Sequence, residues 1–379
     1  MIHSNTEILF ELIRAGLWGD VKVNGYRLKI KESSIDWGGV YRLAEEQSVI
    51  GLVAAGIENL DANLNLQVPK EWALQFIGQT LQLEQRNKAM NGFIAELVEK
   101  MRAAGIEAVL VKGQGVAQCY ERPLWRSCGD VDLFLNDDNY EKAKAFLTPL
   151  ATSVEEEYVR EKHLGMTIDG WVVELHGHLY SGLSSRVENE LDRLQEDTFY
   201  GGQVRSWMNG GTQVFLLAAE NDAFYVFTHI LQHFYKGGIG LRQICDWCRL
   251  LYRYRGELDL QVVESRIRRA GLLSEWRAFG AFAVEYLGMD ASAVPFYSDA
   301  TKWRGKVSRI KDFVMMSGNF GHNRDHSYFE KYPYVVRKCI SFGRRCGDLF
   351  RHARIFPLDS LRFSFAIMRN GVRSAMRGE

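Results

Sequence analysis

The sequence predicts an α+β protein in which a small mixed sheet lies between helical regions at both ends of the chain. Two observations predict it. Apolar residues recur at three- and four-residue spacing over the first 105 residues and again from residue 218 onward. Between these regions, short β-branched runs alternate with turn signals. We therefore divide the chain into an N-terminal helical region (1–105), an α/β core (106–216) and a C-terminal helical region with a basic tail (217–379).

The elements follow in order. In the N-terminal region the spacing predicts helices over 7–17, 40–57, 71–86 and 91–104, with turns at Gly25, Gly38, Gly39 and Pro69. In the core, a strand over 107–111 leads into a short helix over 115–120, a strand over 131–135 and a helix over 140–150. Further strands are predicted over 154–160, 165–168, 171–176, 203–207 and 212–216, with hairpin turns at 169–170 and 209–211.

Composition is that of a folded protein, with 46% hydrophobic and 25% charged residues. The 47 basic side chains balance 47 acidic ones, so the net charge indicates no polyanionic or membrane partner. No apolar run approaches the roughly 18 to 20 residues of a membrane span. Six cysteines without disulfide spacing, and a start without a charged-then-apolar leader, favour the cytoplasm.

Two aspartates interrupt the apolar run VDLFL. Asp130 and Asp132 are two residues apart, so on a strand they share one face while Val131 serves the other. Glu174 interrupts a second apolar strand in the same way. If the two strands are neighbours, three carboxylates converge, and oxygen ligands of this kind suit Mg²⁺ or Mn²⁺. An Asp-x-Asp pair alone is more often a solvated pair at a sheet edge.

A glycine turn precedes the aspartates. The stretch VLVKGQG reads as a strand that ends at Lys112 and turns through Gly113 into a short helix, where backbone amides can approach a phosphate. Arg126 can contact triphosphate oxygens in a bidentate manner or pair with the nearby acids. His176, on the same strand face as Glu174, can contact substrate or hydrogen-bond that carboxylate.

The order of these parts is similar to that of the DNA polymerase β type nucleotidyltransferase superfamily. More narrowly, LVKGQGVAQCYERPLWRSCGDVDLFL followed by ELH resembles a bacterial group of nucleotidyltransferases with a Lys-Gly turn before the Asp-x-Asp strand. The resemblance implies that Asp130, Asp132 and Glu174 are catalytic and bind two Mg²⁺ ions, with Mn²⁺ as an alternative. It also implies that the turn holds an NTP such as ATP. The predicted nucleotide-binding set is Lys112, Gly113, Gln114, Arg126, Ser127 and His176, of which the resemblance itself carries over Gly113.

The resemblance implies transfer of NMP from an NTP to an acceptor hydroxyl, with release of pyrophosphate. The acceptor is left open among a small molecule, a sugar, a protein and RNA. The alternative is a module on the same fold that binds nucleotide or metal without transfer. A third hypothesis is a zinc hydrolase built on His229 and His233, which lie four residues apart on a predicted helix and can instead line the cleft.

Three further features have ordinary structural interpretations. Cys245 and Cys248 have redox or zinc spacing but lie in a helical pattern, which favours core cysteines. Arg242 and Asp246 are spaced for an ion pair on a helix surface, with Arg242 facing the cleft as the alternative. The basic, aromatic tail from residue 337 favours an amphipathic helix docked on the acidic body, and binding to nucleic acid or an anionic surface stays open.

Overall fold

A computed structural model describes residues 4–19, 35–64, 66–299, 301–321 and 331–365. The α+β class is confirmed: a seven-stranded mixed sheet has helices before and after it in the chain. The strands are β1 (Val109–Val111), β2 (Asp130–Phe134), β3 (Ser153–Val154), β4 (His163–Ile168), β5 (Trp171–His176), β6 (Val204–Asn209) and β7 (Thr212–Leu217).

Four helices precede the sheet. They are α1 (Asn5–Trp18), α2 (Trp37–Glu46), α3 (Ile50–Leu64) and α4 (Lys70–Ala103). The prediction of one helix over 40–57 is wrong, because α2 ends at the C-cap residue Gln47 and Ser48 adopts φ +54°. The Gln47 side chain accepts a hydrogen bond from the Leu241 backbone N–H (2.9 Å). The prediction of two helices over 71–104 is also wrong. Residues 87–90 contain no helix breaker, and Asn87 and Met90 continue the buried stripe of α4.

The predicted turns have different outcomes. Pro69 lies directly before α4, as predicted, whereas Gly38 and Gly39 lie within the first turn of α2. Gly25 is outside the described residues. The hairpin at 169–170 is confirmed by positive φ angles at both residues, +50° for Asp169 and +79° for Gly170.

The strand order is β3-β4-β5-β2-β1-β7-β6. The two central pairings place the sequence motifs side by side. Strand β2 runs parallel to β5 and antiparallel to β1, while β7 runs parallel to β1 on the other side. The strand predicted over 154–160 is limited to β3, and only an isolated bridge from Tyr158 to His163 follows it.

The sheet buries both of its faces. On one face, apolar residues of β2 and β5, including Val131 and Leu175, pack against α4 and against α6 (Asp137–Leu147). The other face, which carries Phe134, packs against the C-terminal helices. Helix α6 begins directly after β2 because the Asn136 side chain accepts a hydrogen bond from the Asn139 backbone N–H (2.8 Å), as N-cap residues do. This cap fixes where the acid-bearing strand ends.

Further helices are α5 (Gly113–Ala117), α7 (Ser185–Phe199), α8 (Ala219–Lys236), α9 (Leu241–Arg253), α10 (Leu260–Ala270), α11 (Leu273–Leu287), α12 (Thr301–Ser317) and α13 (Tyr334–Ala353). The described part of the basic tail is docked, as the favoured interpretation predicted. It docks through buried apolar and aromatic side chains such as Phe356 and Phe363. Within the described residues, no helix combines the length and apolarity needed to cross a membrane.

Candidate active site

Three carboxylates converge on the face of the sheet that the C-terminal helices cover. Asp132 of β2 is in register with Glu174 of β5, so their side chains are direct neighbours. Asp130 lies two residues earlier on the same face. Oxygen atoms of all three carboxylates lie within 4.8 Å of one another. The sequence predicted that the three acids converge if their two strands are neighbours. Strands β2 and β5 are neighbours, and the acids do converge.

The electrostatics of this triad are unbalanced. The charge of Asp132, assisted by burial, raises the pKa of Asp130 to about 6. Burial also opposes the ionised form of Asp132, but Lys112 and His176 hold its pKa well below the usual range. Close carboxylates that disfavour each other's ionisation are stabilised by a cation. The chemistry of the triad thus fits a divalent ion with oxygen ligands.

Lys112 lies among the carboxylates. Its Nζ atom is 2.7 Å from Asp132 Oδ1, and its side chain is 16% exposed. Burial disfavours the ammonium, but the charges of Asp132, Glu174 and Asp130 raise the pKa of Lys112 above its ordinary value. The Lys112 side chain is therefore cationic, and it pairs with a carboxylate of the sheet.

Two histidines flank the triad. His176 Nε2 lies 2.8 Å from Asp132 Oδ1 and 3.5 Å from Glu174 Oε2, and burial lowers its pKa. His163, on β4, lies 3.2 Å from Glu174 Oε2, and this hydrogen bond raises its pKa. Together with Glu174 the two imidazoles form a second group of side chains close enough to share a metal ion. Glu174 thus belongs to both groups.

The glycine turn divides its residues between the cleft and the protein interior. Gly113, with φ +37°, lines the cleft. The Gln114 side chain is 1% exposed and points away from the cleft, where its amide donates to Asn87 Oδ1 of α4 (2.8 Å). Asn87 in turn donates to the backbone carbonyls of Leu124 and Arg126. Helix α4 therefore holds both the turn and the loop that precedes β2.

Arg126 lines the cleft but is bound to a distant acid. Its Nε and Nη2 atoms donate to the two oxygens of Asp246 on α9, at 3.0 and 2.6 Å, and both side chains are 6% exposed. The Tyr120 hydroxyl donates to the same carboxylate (2.7 Å). The predicted surface pair of Arg242 and Asp246 is therefore wrong, because Asp246 turns inward to Arg126.

Arg242 has the position that the alternative interpretation gave it. It lines the cleft, and its Nη1 atom donates to the backbone carbonyl of Ser127 (2.9 Å). The Ser127 carbonyl therefore already accepts a hydrogen bond from α9. The chain segment between the glycine turn and β2 is held by α9 through Arg242 as well as through Asp246.

The other candidate residues have clear positions. His229 and His233 of α8 line the cleft with their Nε2 atoms 3.0 Å apart, and burial lowers the pKa of both, that of His233 to about 3. Neither belongs to a group of described residues that could hold a metal. Cys245 and Cys248 are buried in α9, where burial raises the pKa of both thiols, as core cysteines require.

Sequence reasoning missed His163, Asn87 and the role of Asp246. One of them had a usable signal. In a hairpin that turns at 169–170, residue 163 pairs with residue 176, and the structure has this register. The strand prediction began at residue 165 and so did not reach the histidine. No local signal pointed to Asn87 or Asp246, because their partners lie on distant elements.

The two walls of the cleft differ in composition. The sheet wall supplies the carboxylates and Lys112, whereas the helical wall supplies the uncharged imidazoles of His229 and His233 together with Arg242 and Asp246 from α8 and α9. Carboxylates on adjacent strands that can hold a divalent ion are typical of proteins that carry out metal-assisted chemistry at phosphates.

Comparison with known proteins gives the family. A family model described as uncharacterised nucleotidyltransferase matches residues 33–288, which include α2 to α4, the sheet and the cleft. This match covers more than half of the chain, and the protein belongs to that nucleotidyltransferase family. No curated protein and no solved structure matches the chain.

Proposed function

We propose that the protein is a Mg²⁺-dependent nucleotidyltransferase that moves NMP from an NTP to an acceptor hydroxyl and releases pyrophosphate. The observation that carries the proposal is the convergence of Asp130, Asp132 and Glu174 within 4.8 Å, in a chain that belongs to a nucleotidyltransferase family. Transfer requires the acids to hold a cation beside the reacting phosphate. The raised pKa of Asp130 supports this, because it reports a negative charge that the protein alone leaves uncompensated.

The three carboxylates would hold the metal. A divalent cation bound there would polarise phosphoryl oxygens and lower the pKa of the attacking hydroxyl. The resemblance to the polymerase β type superfamily predicts two such ions. How many the triad holds depends on Lys112, whose ammonium already lies beside Asp132.

Other side chains have separate roles in the proposal. Glu174, which is half-buried and faces the cleft, would accept the proton of the acceptor hydroxyl. Positive charge from Lys112 and Arg126, and the backbone amides near Gly113, would stabilise the charge that develops on the leaving pyrophosphate. His176 would keep Asp132 ionised and oriented through its 2.8 Å contact.

The partners in this proposal are an NTP, with ATP as one candidate, and an acceptor among a small molecule, a sugar, a protein and RNA. Acceptor pockets vary within one fold, so the acceptor does not follow from the sheet. The cysteine usage continues to predict a cytoplasmic location. The basic side chains of the tail keep nucleic acid among the partners to be tested.

The first experiment is a thermal-shift panel with each of the four NTPs, with and without Mg²⁺. We expect at least one Mg²⁺–NTP pair to stabilise the wild type by binding the folded state. The Asp130→Ala/Asp132→Ala variant should lose this shift. A matched control is Asp137→Ala/Asp138→Ala, which removes the neighbouring acids of the first turn of α6 and should retain the shift.

The outcomes separate the hypotheses. No shift with any NTP, or an equal shift in the Asp130/Asp132 variant, would contradict the proposal. A shift that depends on the triad, without pyrophosphate release across a broad panel of acceptors, would instead favour the non-catalytic binding module. Pyrophosphate release with one acceptor class would identify the reaction and its second substrate together.

A further inference from the structure

We propose that the Lys112 ammonium takes the place of one of the two metal ions, so that the cleft holds a single divalent cation. This inference rests on the proposed function, because it concerns the number of ions at the same triad. It assigns Lys112 to the metal-binding centre itself, in addition to a contact with the nucleotide.

The Lys112 ammonium lies against the central carboxylate of the triad. Lys112 Nζ lies 2.7 Å from Asp132 Oδ1, and Asp132 is the carboxylate that has close neighbours on both sides in the triad. The Tyr225 ring centroid on α8 is 5.9 Å from the same nitrogen. The ammonium is thus enclosed between the sheet and the helical wall, directly beside the carboxylates that would hold a cation.

The backbone at Lys112 turns its side chain toward the acids. Val111 is in register with Asp132, so in a regular strand the next residue would point its side chain to the opposite face of the sheet. Lys112 instead has φ +56° and ψ −142°, a conformation that residues with a Cβ atom rarely adopt. This turn directs the lysine onto the face that carries the acids. A strained backbone is retained where it places a functional group.

Charge balance also favours a single ion. The triad can carry three negative charges, and Lys112 supplies one positive charge beside Asp132. One divalent ion neutralises the remainder. A second divalent ion would have to bind next to the Lys112 ammonium and would be repelled by it.

The experiment counts ions directly. Mn²⁺ alone is titrated into the wild type and into Lys112→Met by calorimetry, with free Mn²⁺ followed by electron paramagnetic resonance. We expect one Mn²⁺ per chain in the wild type and two in Lys112→Met, because methionine keeps the side-chain length and removes the charge. The matched control is Lys236→Met, which removes a lysine that contacts the Tyr180 ring at the end of α8 and should leave the count at one.

A second measurement does not need the variant to fold. Wild-type crystals grown with Mn²⁺ and a non-hydrolysable ATP analogue should show one anomalous peak at the triad, with Lys112 still beside Asp132. Two peaks, or one ion per chain in folded Lys112→Met, would overturn the inference and leave the proposed function standing. No Mn²⁺ in the wild type, with or without the analogue, would instead overturn the proposed function.

Discussion

Two ion pairs in the interior have similar partners but differ in whether their charges are balanced. Arg126 and Asp246 join the loop before β2 to α9, and Tyr120 completes the carboxylate, so that charges and hydrogen bonds are matched. Lys112 and Asp132 also form a close pair, but two more carboxylates lie beside them. The first pair is balanced, and the second is left with excess negative charge.

The difference indicates that the acid cluster around Lys112, and not the Arg126–Asp246 pair, is suited to bind a cation. A matched buried pair satisfies itself, and removing one partner leaves an uncompensated charge. An unmatched cluster keeps a net charge that an external cation can neutralise. The excess negative charge of the cluster raises the pKa of Asp130 to about 6. Variants of the two pairs should therefore have opposite effects on folding and on metal binding.

The largest effect is expected from Arg126→Ala. It leaves Asp246 buried without its cation, so the free energy of unfolding should fall by about 3–5 kcal/mol. Urea denaturation followed by fluorescence measures this. Arg122→Ala, which breaks the exposed pair with Glu58, is the control and should cost less than about 1 kcal/mol. Equal losses in the two variants would show that the buried pair has no special role.

Asp132→Asn should act mainly on metal binding. We expect Mn²⁺ affinity to fall at least 100-fold, about 2.7 kcal/mol, since this carboxylate is central to the triad. The loss of folding stability should be smaller than in Arg126→Ala, because Asp130 and Glu174 still offset the charge of Lys112. Calorimetric titration and urea denaturation of the same samples test both parts. Unchanged Mn²⁺ affinity would remove Asp132 from the site.

Asp130→Asn should stabilise the metal-free protein at pH 8. In the wild type, the raised pKa means that Asp130 contributes stability below its unfolded pKa, near 4, and loses it as the pH rises through about 6. Asparagine cannot ionise, so the variant does not lose this stability. It should be more stable than the wild type by about 1–2 kcal/mol at pH 8. The difference should vanish near pH 4. Denaturation in EDTA at both pH values measures it, and a destabilised variant at pH 8 would contradict the electrostatic argument.

The smallest effect is expected from His163→Gln. If His163 only orients Glu174 through their 3.2 Å contact, Mn²⁺ affinity should fall by less than about tenfold, roughly 1.4 kcal/mol. A loss of Mn²⁺ affinity as large as that in Asp132→Asn would contradict this expectation. It would mean that the ion binds to the group of His163, Glu174 and His176 instead of the three acids.

Local pattern predicted the acids but not what surrounds them. Strand alternation put Asp130 and Asp132 on one face, and an acid in a second apolar strand pointed to Glu174. The direction of Lys112 was not predictable, because it depends on one backbone angle outside the extended region. The partner of Arg126 was not predictable either, since it lies 120 residues away on α9. Periodicity reports which face a residue occupies, whereas such long-range pairs follow from how the helices pack on the sheet.

Cutting the chain after the last strand would separate Arg126 from Asp246. A fragment of residues 106–217 would keep all seven strands and the three acids, yet it would lose α4, α8 and α9, which cover the two faces of the sheet and anchor the loop before β2. We expect such a fragment to aggregate on expression, while one that keeps residues 4–365, and with them the buried side chains of α1 and α12, stays monodisperse in size-exclusion chromatography. For protein engineering, the helices on both sides of the sheet are thus part of the minimal transferable unit.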